Sequence, residues 1–248
     1  MPPVEFVFWV SLIALVAGFI HSAIGFGFGI VAVALLPWVL DVRQSHVVIS
    51  MASIPVLASA AWAYREGADV RSLVQALIGA AVLLPLGLYA FLVVSLDLLV
   101  RGTGLAVLAM VAMSFRNRRL AEEASTRGAG PAWVAGGLAG FLAGAVSIAG
   151  PPVAAFALQQ RWEQARFKAF VNQFLLAVSV FKVVGLVIGG LVTTENLVGA
   201  SALAPAAMLG IYLGSLGSRR LEGRWFQWLV AIALIGISLF FLVSGHRG

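Results

Sequence analysis

The chain is 248 residues long, 61% hydrophobic and 10% charged, with a mean hydropathy of +1.02. Soluble domains carry about 25% charged and about 45–50% apolar residues, so this chain lacks the polar surface to cover a water-soluble globule, and a lipid bilayer is its expected solvent. Sixteen basic residues against 10 acidic ones leave a net charge of +6, and with no cysteine present, disulfides, thiolate metal sites and cysteine nucleophiles are excluded.

In chain order, the run from Val4 to Ile24 lacks the basic start of a secretory signal and reads as a retained first membrane segment. With charge clusters, Gly and Pro as punctuation, ten apolar segments follow one another at about 4–22, 26–40, 45–64, 72–95, 98–115, 132–148, 151–160, 165–192, 197–217 and 225–243. A helix needs roughly 20 apolar residues to cross the hydrocarbon. Segments two and seven are short and start at breakers, Gly25-Phe26-Gly27-Phe28-Gly29 and Gly150-Pro151-Pro152, as broken or re-entrant helices do. The expected fold is an all-α, polytopic membrane protein.

With an outside N-terminus and alternating segments, the inside loops collect Arg65, Arg71, Arg116, Arg118, Arg119, Arg127, Arg161, Arg166, Lys168, Arg219, Arg220 and Arg224. Only Arg43, Arg101 and Arg247 fall outside, and Lys182 stays within a segment. The positive-inside rule favours this orientation. It assigns the basic excess to topology rather than to nucleic acid, and the expected location is a bacterial inner membrane.

The chain also repeats itself. Gly18-Phe19-Ile20 aligns with Gly140-Phe141-Leu142 at a spacing of 122, the Gly25–Gly29 stretch with Ser147–Pro151, and Asp41 with Glu163. After a one-residue shift, Leu86-Gly87-Leu88-Tyr89 matches Leu209-Gly210-Ile211-Tyr212. The reading is a first repeat over 1–115, a basic cytoplasmic linker over 116–130 and a second repeat over 131–248. Five segments per half, an odd number, would place the halves in opposite orientations. That is the inverted-repeat plan of secondary transporters, whose sites lie near the midplane where broken helices meet.

Gly25-Phe26-Gly27-Phe28-Gly29 followed by Pro37, with its partner Ser147-Ile148-Ala149-Gly150-Pro151-Pro152, resembles the paired glycine-rich motifs of the sulfite exporter TauE/SafE family, also called the toluene sulfonate uptake permease family. The likeness runs from about Phe6 to Leu242. It implies transport of sulfur-containing or organic anions such as sulfite, thiosulfate, sulfonates or sulfoacetate. Phe26 and Phe28 between the glycines, and Pro151-Pro152 in the second copy, depart from the commoner glycine runs and leave the particular substrate open.

Lys182 is the most informative single residue. It lies about 21 Å along its helix from Lys168, where a lysine costs about 2.5–3.5 kcal/mol on insertion scales. All ten carboxylates fall in loops or at segment ends. The missing counter-charge then reads as a transported anion; the alternative is a lysine that snorkels or meets a loop acid. Asn172, Ser179 and Lys182 fall within about 80° of one another on that helix, and Gln173 lies on the opposite side. Packing between helices is the alternative role for such polar groups.

The two breaks add donors. Helices starting after Gly29 and after Pro152 would aim free N–H groups and positive dipole ends into the membrane, with Gly25, Gly27, Gly29 and Gly150 admitting close approach and Pro151 fitting a first turn. Ser22 and Ser147 lie just before the breaks and offer hydroxyls. His21, at the first break, is a candidate for titration with substrate or proton. His46, near Asp41 and Arg43, reads as interfacial, and the tryptophans as a membrane-surface belt.

Neither H-E-x-x-H nor G-x-S-x-G occurs, and no acidic cluster offers a metal site, so neither an enzyme nor a cofactor is expected. The expectation is a carrier for a small anion; the second reading is an anion channel lined by the same residues. Proton, sodium or no coupling stays open, as do the direction of transport and the oligomeric state.

Overall fold

A computed structural model describes residues 4–65, 67, 69–95, 97–98, 101–102, 104–105, 108–109, 112, 131–218 and 223–244. The regular elements among them are all helices: α1 (Val4–Ile24), α2 (Phe28–Leu35) with a 3-10 turn at Leu36–Trp38, α3 (Val42–Ala63), α4 (Val70–Val93), α5 (Ala132–Val146), α6 (Gly150–Gln159), α7 (Gln164–Ile188), α8 (Thr194–Ser218) and α9 (Gly223–Ser244). The described residues of the fifth segment are helical, and the 116–130 linker lies outside the described residues. Five helices, α1, α3, α4, α7 and α8, are long and apolar enough to cross a membrane. The chain is a polytopic all-α membrane protein. At 1.5 Å per residue, α2 reaches about 12 Å and α6 about 15 Å, well short of a roughly 30 Å hydrocarbon core.

The long helices turn small residues inward and bulky ones outward. On α4, Ala76, Gly79, Ala80, Leu84, Gly87 and Ala90 are buried, whereas Val74, Ile78, Val82, Leu86, Tyr89 and Val93 are exposed at near-helical spacing. That pattern suits a helix solvated by lipid on one side, where association depends on close van der Waals contact. The closeness is extreme: a Cβ on Gly87 would overlap the Phe141 carbonyl across α4 and α5, and one on Gly210 would overlap the Leu15 carbonyl across α1 and α8.

Element boundaries recur at one spacing. α1 and α5 end at Ile24 and Val146, α2 and α6 begin at Phe28 and Gly150, and α3 and α7 begin at Val42 and Gln164, each pair 122 residues apart. Asp41 and Glu163 are the N-cap residues of α3 and α7. The packing follows the same rule. α1 pairs with α8 and α5 with α4; α3 meets α8 and α7 meets α4; α3 and α7 meet each other. Exchanging the two halves leaves this set of partners unchanged.

Sequence patterning misplaces the helix starts by a few residues. α2 begins at Phe28 and α6 at Gly150, so Gly29, Pro151 and Pro152 lie inside the first turns rather than before them. The chain reverses earlier than expected because Gly25 and Gly27 take φ of 88° and 116°, a region that glycine enters without steric cost. Proline is tolerated in a first turn, where its absent N–H would have lacked a partner.

Candidate functional site

The two breaks lie against each other. A Cβ on Gly150 would stand 3.0 Å from the Phe26 Cβ, and one on Gly29 would stand 2.5 Å from the Ser147 carbonyl oxygen. Glycine at both places lets the start of each short helix sit on the opposite break.

At the first break, α1 leaves terminal carbonyls that need donors. Side chains of α7 supply them. Lys168 Nζ donates to the Ser22 carbonyl at 2.7 Å, and Asn172 Nδ2 donates to the Gly25 carbonyl at 3.4 Å and to its own helix at Lys168 O, 2.8 Å. The Asn172 carbonyl oxygen is left to face His21 Nε2 at 2.7 Å, and His21 Nδ1 accepts the Phe28 N–H at 3.4 Å. This lacing orders the turn from α1 into α2. Lys168 also sits 4.9 Å from the centre of the Tyr64 ring, whose hydroxyl lies 3.1 Å from Ser22 Oγ.

The second break closes on itself. Ser147 takes φ of 59°, its N–H reaches Ala143 O at 3.2 Å, and the Ile148 N–H reaches Leu142 O at 3.3 Å. The Ser147 bond to the residue four back is that of a left-handed αL C-cap, here built on serine instead of glycine. The Ser147 side chain then collects three side chains from two helices: Lys182 Nζ of α7 at 2.6 Å, and from α3 His46 Nδ1 at 3.0 Å and Ser50 Oγ at 3.4 Å. His46 is 4% exposed and stacks on Phe91 at 3.9 Å between ring centres.

Between the breaks lies a cavity of about 50 Å³, lined on its polar side by His21, Ser50, Ser53, Ser147, Ser179 and Lys182 and on its backbone side by Gly27, Gly29 and Gly150. At about 10–15 Å³ per water-sized occupant, it holds roughly three to five water-sized groups, the scale of a small oxyanion. Lys182 is 3% exposed and its ammonium is bonded to a neutral hydroxyl. Among the described residues, no His/Cys/Asp/Glu cluster is arranged to hold a metal ion.

Seven of the residues singled out in the sequence line this cavity: His21, Gly27, Gly29, Ser147, Gly150, Ser179 and Lys182. Others stand outside it. Asn172 and Gly25 belong to the lacing behind His21, the Ser22 hydroxyl turns to Tyr64, and Pro151 is packed in the first turn of α6. Gln173 bonds the Arg65 carbonyl at 3.2 Å, away from the cavity. Asn172 and Lys182 share a helix face, yet ten residues, about 15 Å of rise, separate them, and each serves a different break.

Two readings are corrected. His46 is buried in the core rather than interfacial, and Lys168, counted above with loop cations, is 2% exposed in the first turns of α7. The signal that locates both is the 122-residue spacing. His46 and Lys168 stand 122 residues apart, as do Ser50 and Asn172, so a polar face at one helix start foretells one at the other.

Two apposed helix breaks around a buried cation and hydroxyls, carried by membrane-length helices, define a multi-pass membrane protein with a polar site between its halves. The chain belongs to the sulfite exporter TauE/SafE family, whose model matches residues 10–241. It is a membrane transporter of the kind that handles sulfite and related sulfur anions. No curated protein and no solved structure matches it.

Proposed function

We propose that the protein is a secondary transporter, working as an exporter, for a small sulfur-containing or organic anion such as sulfite, a sulfonate or sulfoacetate. The observation that carries this reading is the placement of Lys182 and Ser147 in the cavity where the two broken helices meet. A mid-membrane ammonium facing a hydroxyl, with no carboxylate lining the cavity, is matched by an anion. Charge-assisted hydrogen bonds are the strong ones. Ser179, Ser50 and Ser53 add hydroxyls, and the first turn of α2 adds backbone donors at Gly29 and Ile30 beside a positive dipole end. Pro151 and Pro152 have no N–H, so α6 contributes its dipole and shape more than its donors.

The shared boundaries and the exchangeable packing of the halves support two repeats of inverted topology, with a cytoplasmic 116–130 linker and an outside N-terminus in the inner membrane. Rocking of the halves about the fixed site would then alternate access. The Gly-to-carbonyl contacts between paired helices favour rigid-body movement, since such surfaces do not deform gradually.

Proteoliposome flux tests the reading. The carrier gives saturable uptake of labelled sulfite, accelerated by unlabelled sulfite on the opposite side. Large unitary currents across a planar bilayer would replace the carrier with an anion channel lined by the same residues.

A further inference from the structure

The two membrane histidines hold opposite hydrogen-bonding positions around the cavity. Asn172 Nδ2 faces two carbonyl oxygens, so its own oxygen faces His21 and must receive a hydrogen from Nε2. His21 Nδ1 accepts the Phe28 N–H. A second ring proton would set one N–H against another, so the surrounding bonds hold His21 neutral.

His46 is held less completely: the Gly144 backbone also faces its ring, but its side-chain partner Ser147 can donate or accept. Lys182 donates to Ser147 Oγ, and Ser50 gives its own hydrogen to the His46 carbonyl at 2.6 Å. The Ser147 hydrogen then has its nearest side-chain acceptor in His46 Nδ1, at 3.0 Å. The His46 Nε2 atom is buried and makes no hydrogen bond. Ser147 also lines the cavity, so its single hydrogen can go to the ring, to the more distant His46 carbonyl at 3.4 Å, or to an occupant. A proton placed on Nδ1 reverses the bond. Nδ1–H then donates to Ser147 Oγ, which has two lone pairs for Lys182 and His46, and the hydroxyl hydrogen is released toward the cavity.

We infer, resting on the anion site proposed above, that His46 is the proton-coupling residue of this transporter: one proton binds at His46 Nδ1 as an oxyanion binds beside Lys182, and Ser147 turns its hydroxyl from the ring to the anion. The balance is simple. The proton comes from water on the side to which the site is open, one N–H bond forms, no bond of the anion breaks, and the proton returns to water when the anion departs. Two cations, Lys182 and protonated His46, then face the anion together, which suits a doubly charged oxyanion.

The charged groups around His46 are few. α7 brings Lys182, with Lys168 about 21 Å further along the same helix; α1 brings His21, held neutral; α4 presents the Phe91 ring. On α3 itself, Arg43 is exposed, and α8, which packs on α3, carries an exposed Glu195 in its first turn. The segments α2, α5 and α6 contain no titratable side chain.

The test is calorimetric titration of wild-type protein in nanodiscs with sulfate and with methanesulfonate, both fully ionised from about pH 6 to about pH 8, in buffers of unlike ionisation heat. The expected result is uptake of close to one proton per anion, with affinity falling by up to roughly tenfold per pH unit as pH rises. His46→Gln should still bind but lose that pH slope, whereas His21→Gln should bind more weakly and keep it. Binding without proton uptake in the wild type overturns this inference alone, and needs no variant to fold. A wild-type slope retained in H46Q also overturns it and moves the proton to Lys182. Binding of neither anion at any pH overturns the anion site and this inference together.

Discussion

The two helix breaks solve the same problem by different chemistry. Both interrupt a helix in mid-bundle and leave its last carbonyls to be satisfied. The first, Gly25–Gly29, uses glycine to turn and hands its carbonyls to α7, where Lys168 and Asn172 donate to Ser22 and Gly25. The second, Ser147–Pro152, satisfies the Ala143 and Leu142 carbonyls with its own Ser147 and Ile148 N–H groups and thereby leaves the Ser147 side chain free to engage Lys182 and His46. One lysine of α7 is thus tied up in structure, while the other faces the cavity. Two breaks at corresponding places can divide labour in this way because the backbone needs only one external clamp, and the remaining polar groups stay available for a ligand.

This contrast can be broken at its tightest point first. Gly29→Ala places a methyl 2.5 Å from the Ser147 carbonyl, a backbone atom that cannot give way cheaply. Overpacking of this kind costs about 1–3 kcal/mol, and the expected outcome is a lowered thermal transition in detergent together with reduced flux. An unchanged transition would show that the breaks tolerate separation. Next, Lys168→Met removes the clamp of the first break and strands the buried Ser22 carbonyl. An unsatisfied buried polar group costs about 1–3 kcal/mol, so the variant should melt earlier while anion affinity changes far less than stability. A large loss of affinity with normal stability would place Lys168 in the binding site instead.

The smallest effect lies outside the bilayer. Asp69 caps α4 through the Ser72 N–H at 3.4 Å and pairs with Arg166 at 2.9 Å. Slight burial pushes its carboxyl up, but the Ser72 N–H and the Arg166 guanidinium outweigh this and hold it below the ordinary carboxylate range. A depressed folded value means that the contact stabilises fully above about pH 4, the unfolded range, and that this contribution is lost as pH falls through the folded value. For a partly exposed pair the size is about 0.2–1 kcal/mol. Asp69→Asn should remove that acid-side loss in thermal melts taken across the range; an undiminished loss would assign it to other carboxylates.

Much of this arrangement was legible in the sequence because the bilayer restricts the choices. Apolar length marked the spanning helices, Gly and Pro marked both breaks, and the lack of interior carboxylates singled out Lys182. The legible part of the site was its contribution from the breaks and from α7. The α3 contribution was hidden, since His46, Ser50 and Ser53 sit near the Asp41–Arg43 helix start and look like interfacial residues when read locally. What places them in the core is tertiary: α3 and α7 pack against each other, and the polar starts of both helices face the breaks. Helical angle alone also misled on Asn172, because it records which face a residue occupies and not how far along the axis it lies.

The most direct test of the account is sulfite binding and flux in Lys182→Met compared with wild type. A hydrogen bond to a charged group contributes about 1.5–3 kcal/mol, so the account predicts that K182M loses at least about tenfold in affinity and most of its flux, while its fold survives because the buried charge is gone. Wild-type affinity and flux in K182M would contradict it.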